Sequence, residues 1–217
     1  MLTKLFNMCL VHGYVPDNFA MSVIVPVPKD NGNKCDSFDG YRPVSLVSIF
    51  SKIFEACLLE NLSKFLFFDE LQFGFVPNKG CQKALLLLDC TIDYFNKAGS
   101  NVYAAALDIS KAFDGVNHYG LFIRMMEVGM PLNMLNVLIN WYGKLKGQVR
   151  WSGCLSSMFD IRSGVREGGV ASPALFNMYI DGLITALRSS GLGCYLGSDY
   201  VGCILFSDDI YYCCQLL

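Results

Sequence analysis

Apolar residues recur along the chain in short blocks, and the spacing inside each block separates helices from strands. From Ser45 onward, Leu46, Phe50, Ile53 and Cys57 fall on one face and Ser48, Ser51, Lys52 and Glu55 on another, which predicts a helix starting there. Leu85, Leu88, Ile92 and Phe95 form a second helical stripe over residues 82–98, with Gly99 as its stop signal. Asn117 stands where an N-cap is expected. Gly129 with Pro131 closes that helix and opens the next, which carries Leu132, Leu135, Leu138 and Ile139. Ser172-Pro173 starts another, with Phe176, Ile180, Leu183 and Leu187 facing inward.

Strand patterns lie between these helices. Residues 24–28 are apolar but carry Pro26 and Pro28, which predicts an edge strand and argues against a central one, because proline cannot donate to a ladder. A polar loop over residues 29–40 follows. Residues 102–107 form an unbroken apolar run ending in Asp108, the pattern of a buried strand. Residues 148–151 and 155–161 flank Ser152-Gly153 as a hairpin. Two apolar runs, 201–206 and 210–214, meet at Ser207-Asp208-Asp209. Helices and strands mixed in this way predict an α+β domain, with no internal repeat and no flexible linker.

Composition narrows the classes. The chain has 217 residues, 53% of them hydrophobic and 17% charged, and its mean hydropathy is +0.37, so a membrane protein has to be weighed. No apolar stretch approaches the roughly 18 residues that a spanning helix needs, and the first ten residues lack the pattern of a signal peptide. The expectation is a chain with no membrane partner. Ten cysteines are scattered at irregular spacing without a CxxC pair, which favours reduced core thiols over a disulfide framework or a zinc site. An intracellular location follows, with nucleus or cytoplasm left open. The net charge of −2 runs against the basic footprint usual for phosphate binding.

Three acids carry the candidate chemistry. Asp108 ends one apolar strand, and Asp208 and Asp209 occupy the turn between two more. An isolated Asp-Asp pair has an ordinary explanation in the turn preference of aspartate. Three strand-end acids fit oxygen ligands for Mg²⁺, converging on two ions roughly 3.5 to 4 Å apart if the strands are neighbours. Only His12 and His118 are available for a serine or cysteine triad, so Ser172 reads as an N-cap and not as a nucleophile.

The ordered motifs IVPVPK at 24–29, YRPVSL at 41–46, QFGF at 72–75, LDISKAFDGVNH at 107–118, SGVREGGVASPALFN at 163–177 and FSDD at 206–209 cover nearly the whole chain. In that order they resemble the reverse transcriptases of non-LTR, jockey-like retrotransposons. The resemblance implies one α+β reverse transcriptase domain over residues 1–217: right-hand polymerase fingers and palm with an antiparallel palm sheet, and no thumb. It implies RNA-directed DNA polymerase activity, with Asp108, Asp208 and Asp209 catalytic and the Ile109 carbonyl as a further metal ligand. Two Mg²⁺ ions, with Mn²⁺ as a substitute, are the implied cofactors, and RNA template, DNA primer and dNTPs the implied partners. Lys29, Arg42, Phe113, Glu167 and Gly168 match the family's dNTP-binding positions, Phe113 as the steric gate that selects deoxyribonucleotides. Gly168 and Gly169 match a loop where backbone approaches the nucleotide.

Several positions depart from the family pattern. Glu167 replaces the usual glutamine and sets an anion beside the triphosphate site. Val76 replaces a basic residue, Ala171 a leucine and Ser207 an alanine. The chain ends eight residues after Asp209, so the expectation is a fragment or degraded copy, inactive or feebly active, with residues 210–217 forming an unsatisfied sheet edge. The alternatives are a catalytically inactive remnant of the same fold, and a palm-type cyclase, which would not need these motifs in this order.

Overall fold

A computed structural model describes residues 1–29 and 37–215. In chain order the elements begin with α1 (Leu2–His12), α2 (Asp17–Ala20), β1 (Met21–Pro28), β2 (Tyr41–Val47), α3 (Ile49–Leu62), α4 (Cys81–Lys97) and β3 (Val102–Asp108). There follow α5 (His118–Glu127), α6 (Leu132–Tyr142), β4 (Lys146–Trp151), β5 (Cys154–Leu155), β6 (Phe159–Asp160) and α7 (Ser172–Ser189). The last are β7 (Tyr195–Leu196), β8 (Asp199–Tyr200), β9 (Cys203–Phe206) and β10 (Asp209–Gln215). The architecture is α+β, as expected. The polar loop expected over residues 29–40 lies for the most part outside the described residues. Among the described residues no helix is long and apolar enough to cross a membrane.

The chain divides into two compact units, Met1–Phe65 with Phe113–Ser172, and Leu66–Ala112 with Pro173–Leu217. The first contains a mixed sheet of order β2-β1-β4-β5, with β6 also paired to β4. Contrary to the edge-strand expectation, β1 is internal: it runs antiparallel to β2 and parallel to β4. The prolines explain how this is possible. Only Met21 to Ile24 pair with β4, whereas Pro26 and Pro28 pair with β2 alone, opposite Pro43 and Tyr41. Each proline therefore sits where its missing N–H faces no second strand. The Ser152-Gly153 hairpin forms as read, with φ of 47° and 80°, the positive pair of a type I′ turn.

The core of this unit is aromatic. Phe54 stacks on Trp141 with ring centroids 5.4 Å apart and meets Phe6 at 5.0 Å. The α3 helix starts at Ile49, after a strand has used Ser45 to Val47, and it buries a different face from the one read in the sequence. Phe54, Leu58 and Leu62 go inside together with Ser51 and Glu55, while Phe50, Ile53 and Cys57 are exposed. A helix apolar nearly all round does not fix its own face by periodicity; polar anchors decide it here. Ser51 Oγ donates to the Phe19 carbonyl at 3.1 Å, and Glu55 meets Arg166. Asn117 caps α5 as expected, its Oδ1 accepting from Gly120 N at 3.0 Å.

The second unit has a three-stranded antiparallel sheet of order β3-β10-β9. Helix α4 covers it through Phe95, which clusters with Cys194, Val201 and Cys213, and through Ala84, which packs with Phe73 and Ile204. Two expectations are corrected. The strand carrying residues 210–215 is the middle strand, not an unsatisfied edge, and β3 is exposed along nearly its whole length instead of buried. The apolar run of β3 owes its continuity to Ala104, Ala105 and Ala106, which have little side chain to bury. Cysteine follows no single rule either: Cys9, Cys194, Cys203 and Cys213 are buried thiols, but Cys57, Cys81, Cys90 and Cys154 are exposed.

Candidate active site

The acids gather at one end of the β3-β10-β9 sheet. Phe206 pairs with Asp209, so Ser207 and Asp208 form a two-residue turn, with Ser207 at φ 59°. Across the other edge of β10, Asp209 lies directly opposite Asp108. Ile109 N donates to the Asp208 carbonyl at 3.2 Å. That bond belongs to the neighbouring residue pair, so Asp108 and Asp209 form the closer, non-hydrogen-bonded kind, with Cα atoms about 4.5 Å apart and side chains together. Two like charges directly opposite each other destabilise a sheet. Both are exposed and Asp208 is half-buried.

Among the described residues no group of three His, Cys, Asp or Glu side chains stands together ready to hold a metal ion. Of the three acids expected to converge, Asp108 and Asp209 are paired across the ladder, and Asp208 lies in the turn, outside the ladder that joins the other two. The strand burial that was to make Asp108 costly is absent too. In chemistry the donor set still fits a hard divalent cation: carboxylate oxygens on adjacent strands, with the Ile109 carbonyl on the residue beside them.

Sequence reasoning missed what stands behind this turn. Residues 71–73 lie along β9, with Phe73 N donating to Leu205 O at 2.7 Å and Leu205 N to Leu71 O at 2.8 Å. Buried Gln72 turns its Oε1 to two backbone donors, Gly74 N at 2.9 Å and Ser207 N at 3.1 Å. Asn177 of α7 donates from Nδ2 to the Gly74 carbonyl at 2.7 Å. Gly74 has no alternative here, since a Cβ would overlap Ser207 N and come within 2.8 Å of the Phe206 carbonyl carbon. Asp69 anchors the same segment. It pairs with Arg188 at 2.8 Å and accepts from Leu71 N at 3.0 Å, while its own N–H donates to Asp181. Burial pushes the Asp69 carboxyl up, but the Arg188 and Leu71 hydrogen bonds and the charges of Arg188 and Lys79 outweigh it and hold the group below its usual value.

The five candidate dNTP-binding residues all belong to the other unit. Lys29 follows β1, its N–H donating to Gly40 O at 2.9 Å, and Arg42 pairs with Val27, so both lie at the loop end of the β1-β2 pair and are exposed. Farther along β2, Ser45 N donates to the Glu167 carbonyl at 2.9 Å. Gly168 follows at φ 95°, where a Cβ would stand 3.2 Å from Ser45 O. Half-buried Phe113 is tied to the same loop, its carbonyl accepting from Val165 N at 2.8 Å.

A buried ion pair fixes that loop. Arg166 Nη2 and Glu55 Oε1 are 2.6 Å apart with side chains only 4% and 7% exposed. Glu55 Oε2 accepts from Val170 N at 2.8 Å, Arg166 Nη1 donates to Phe19 O at 3.0 Å, and the guanidinium lies 5.0 Å from the Trp141 ring. Residues 166 and 170 are thereby held on both sides of Glu167 and Gly168. His118 takes no catalytic position: its Nε2 meets Gly164 O at 2.8 Å, and the ring packs edge-on against Tyr142, whose phenol is pushed up by burial. A cavity of about 340 Å³ near Ser22, Leu46 and Lys146 contains none of the predicted site residues.

Comparison with known proteins agrees with the motifs. Residues 27–216 match the family described as reverse transcriptase (RNA-dependent DNA polymerase). The Pol polyprotein of the type-2 retrotransposable element R2DM of Drosophila melanogaster is 28% identical over 209 residues, covering 96% of this chain and 20% of that protein. The RNA-directed DNA polymerase of the mobile element jockey from Drosophila funebris is 30% identical over 187 residues, covering 82% of this chain and 20% of that protein. The chain thus spans about a fifth of the length of these relatives. Apo telomerase from Candida tropicalis, truncated from its C-terminal domain, superposes with a TM-score of 0.64 at 13% identity, covering 97% of this chain and 48% of that one. At that identity the likeness is one of fold, polymerase fingers and palm. With the matched family spanning most of its length, this chain belongs to the reverse transcriptases, in the branch carried by non-LTR retrotransposons.

Proposed function

We propose that the chain carries the nucleotidyl-transfer centre of an RNA-directed DNA polymerase, which adds a dNTP to the 3′-hydroxyl of a DNA primer on an RNA template. The observation that supports this best is the pairing of Asp108 with Asp209 across β3 and β10, beside the turn that carries Asp208. Two opposed carboxylates exposed at a strand end have no structural use of their own and suit a cation. Reverse transcriptases use divalent metal ions. Asp108, Asp208, Asp209 and the Ile109 carbonyl would hold Mg²⁺, two ions in the working site, with Mn²⁺ as a substitute. When bound, such ions favour ionisation of the primer hydroxyl and neutralise the pyrophosphate that leaves.

The chain's other residues bind and select. Lys29 and Arg42 offer cationic donors to a triphosphate, and Gly168 lets backbone come close to it. Phe113 excludes a ribose 2′-hydroxyl by its bulk. Glu167 presents only acceptor oxygens where the family's amide would also donate. Its expected effect is weak dNTP binding.

Primer extension on an RNA template with Mg²⁺ tests the reading. Asp208→Asn should abolish dNTP addition, and extension that survives this change would sink the assignment. Glu167→Gln should lower the KM for dNTP and leave kcat nearly unchanged, the signature of a change in ground-state binding.

A further inference from the structure

Three buried polar atoms behind the acid turn have no partner among the described protein groups: Gln72 Nε2, Asn177 Oδ1 and Ser207 Oγ. Gln72, Asn177 and Ser207 are 1%, 0% and 3% exposed. A polar atom left unpaired at such depth costs about 1–3 kcal/mol, so the groups that each amide faces decide which of its halves is paired. Their orientations are not arbitrary. Gln72 Oε1 faces two N–H donors, and rotating the amide would aim an NH₂ at both; Asn177 Nδ2 faces a carbonyl, and rotation would set oxygen against oxygen. The committed half of each amide points to Gly74 or Ser207, and the uncommitted half is what remains unpaired.

The backbone held in this way is unusual. Ser207 adopts φ 59°, and Phe75, next to Gly74, adopts φ 54°, values that side-chain-bearing residues seldom take. The Ser207 N–H lies in the turn and outside the ladder, so no strand partner satisfies it. Gln72 supplies the acceptor, and Ser207 is joined directly to Asp208.

We propose that Gln72, braced by Asn177 through Gly74, is a positioning residue that sets the geometry of the Asp208 turn for divalent-metal binding. This rests on the reading of Asp108, Asp208 and Asp209 as metal ligands. A neutral amide does the work of holding the turn without adding charge beside three carboxylates. Removing the partner that orients a metal ligand typically costs tenfold to a hundredfold in metal affinity.

Mn²⁺ binding to the whole chain, followed by calorimetry beside thermal unfolding, provides the test without relying on polymerase activity. Asp208→Asn should eliminate the site; if it leaves Mn²⁺ affinity intact, the metal-site reading itself fails. With that control behaving as expected, Gln72→Met, of similar length but without an acceptor, should bind Mn²⁺ about tenfold more weakly while remaining folded. Asn177→Leu should weaken it in the same direction but less. A folded Gln72→Met protein with wild-type affinity overturns the positioning role alone. Should Gln72→Met not fold, amide hydrogen exchange in the unaltered chain decides: a protected Ser207 N–H supports the clamp, and one exchanging like an open turn overturns it.

Discussion

The two units solve the same problem with opposite chemistry. Around Glu167 and Gly168, the backbone is held by a fully charged pair, Glu55 with Arg166, sunk in an aromatic core. Around Ser207 and Asp208, it is held by the neutral amides of Gln72 and Asn177. The difference has an electrostatic logic. A buried charge acts over several ångströms at low dielectric, and an unbalanced one behind Asp108, Asp208 and Asp209 would bias every cation that approached them. An ion pair is tolerable beside the Glu167 loop because its charges cancel locally and each partner also bonds to backbone.

The strongest way to break this contrast is to remove one member of the ion pair. Glu55→Ala leaves the Arg166 guanidinium buried without its counter-charge, and the expected loss is about 3–5 kcal/mol of stability. Urea unfolding of the chain measures it. Joint replacement, Glu55→Leu with Arg166→Met, should recover much of the loss, since two apolar side chains of similar volume leave no charge stranded. A single-site cost under about 1 kcal/mol would mean the pair behaves as an exposed one and the contrast is false.

A smaller effect is expected in the second unit, where the fault is steric. Gly74→Ala places a methyl group where Ser207 N already stands, so the 71–74 segment or the turn must move. Overpacking of this kind costs about 1–3 kcal/mol. The loss should appear in thermal unfolding, together with weaker protection of the Leu205 and Ser207 amides from exchange. Unchanged protection in a destabilised variant would show that the strain spreads elsewhere.

These supports also mark how far the sequence could be read. The acids were legible because apolar runs ended at Asp108 and met at Asp208-Asp209, and the ladder does pair Asp108 with Asp209. The supports were hidden for physical reasons. Glu55 fell on what periodicity made the polar face of α3, since nothing local reveals that Arg166, more than a hundred residues later, draws it inside. Gln72 and Asn177 stood within quoted motifs, yet an amide's role depends on which backbone groups it meets. The proline rule failed at β1 because pairing along a strand is not uniform: the pairing with β4 stops at Ile24, before Pro26. In β3, a run of alanines had the pattern of burial without enough side chain to achieve it.

The smallest expected effect sharpens the contrast by pH. The second unit also has an ion pair, Asp69 with Arg188, but Arg188 is 42% exposed, so its contribution after solvent screening is about 1 kcal/mol or less. Because the Asp69 carboxyl is held below its usual value, its stabilisation is present above the unfolded carboxylate pKa of about 4 and fades as pH falls through the lower folded value. Asp69→Asn should therefore lower the unfolding free energy at pH 7, and the gap from the unaltered chain should close toward pH 2. Glu55→Gln, tested beside it at pH 7, should cost more, since it strands a buried guanidinium where Asp69→Asn releases one to water. Equal costs for the two changes would erase the distinction between a pair that holds a loop from within the core and one that anchors a segment at the surface.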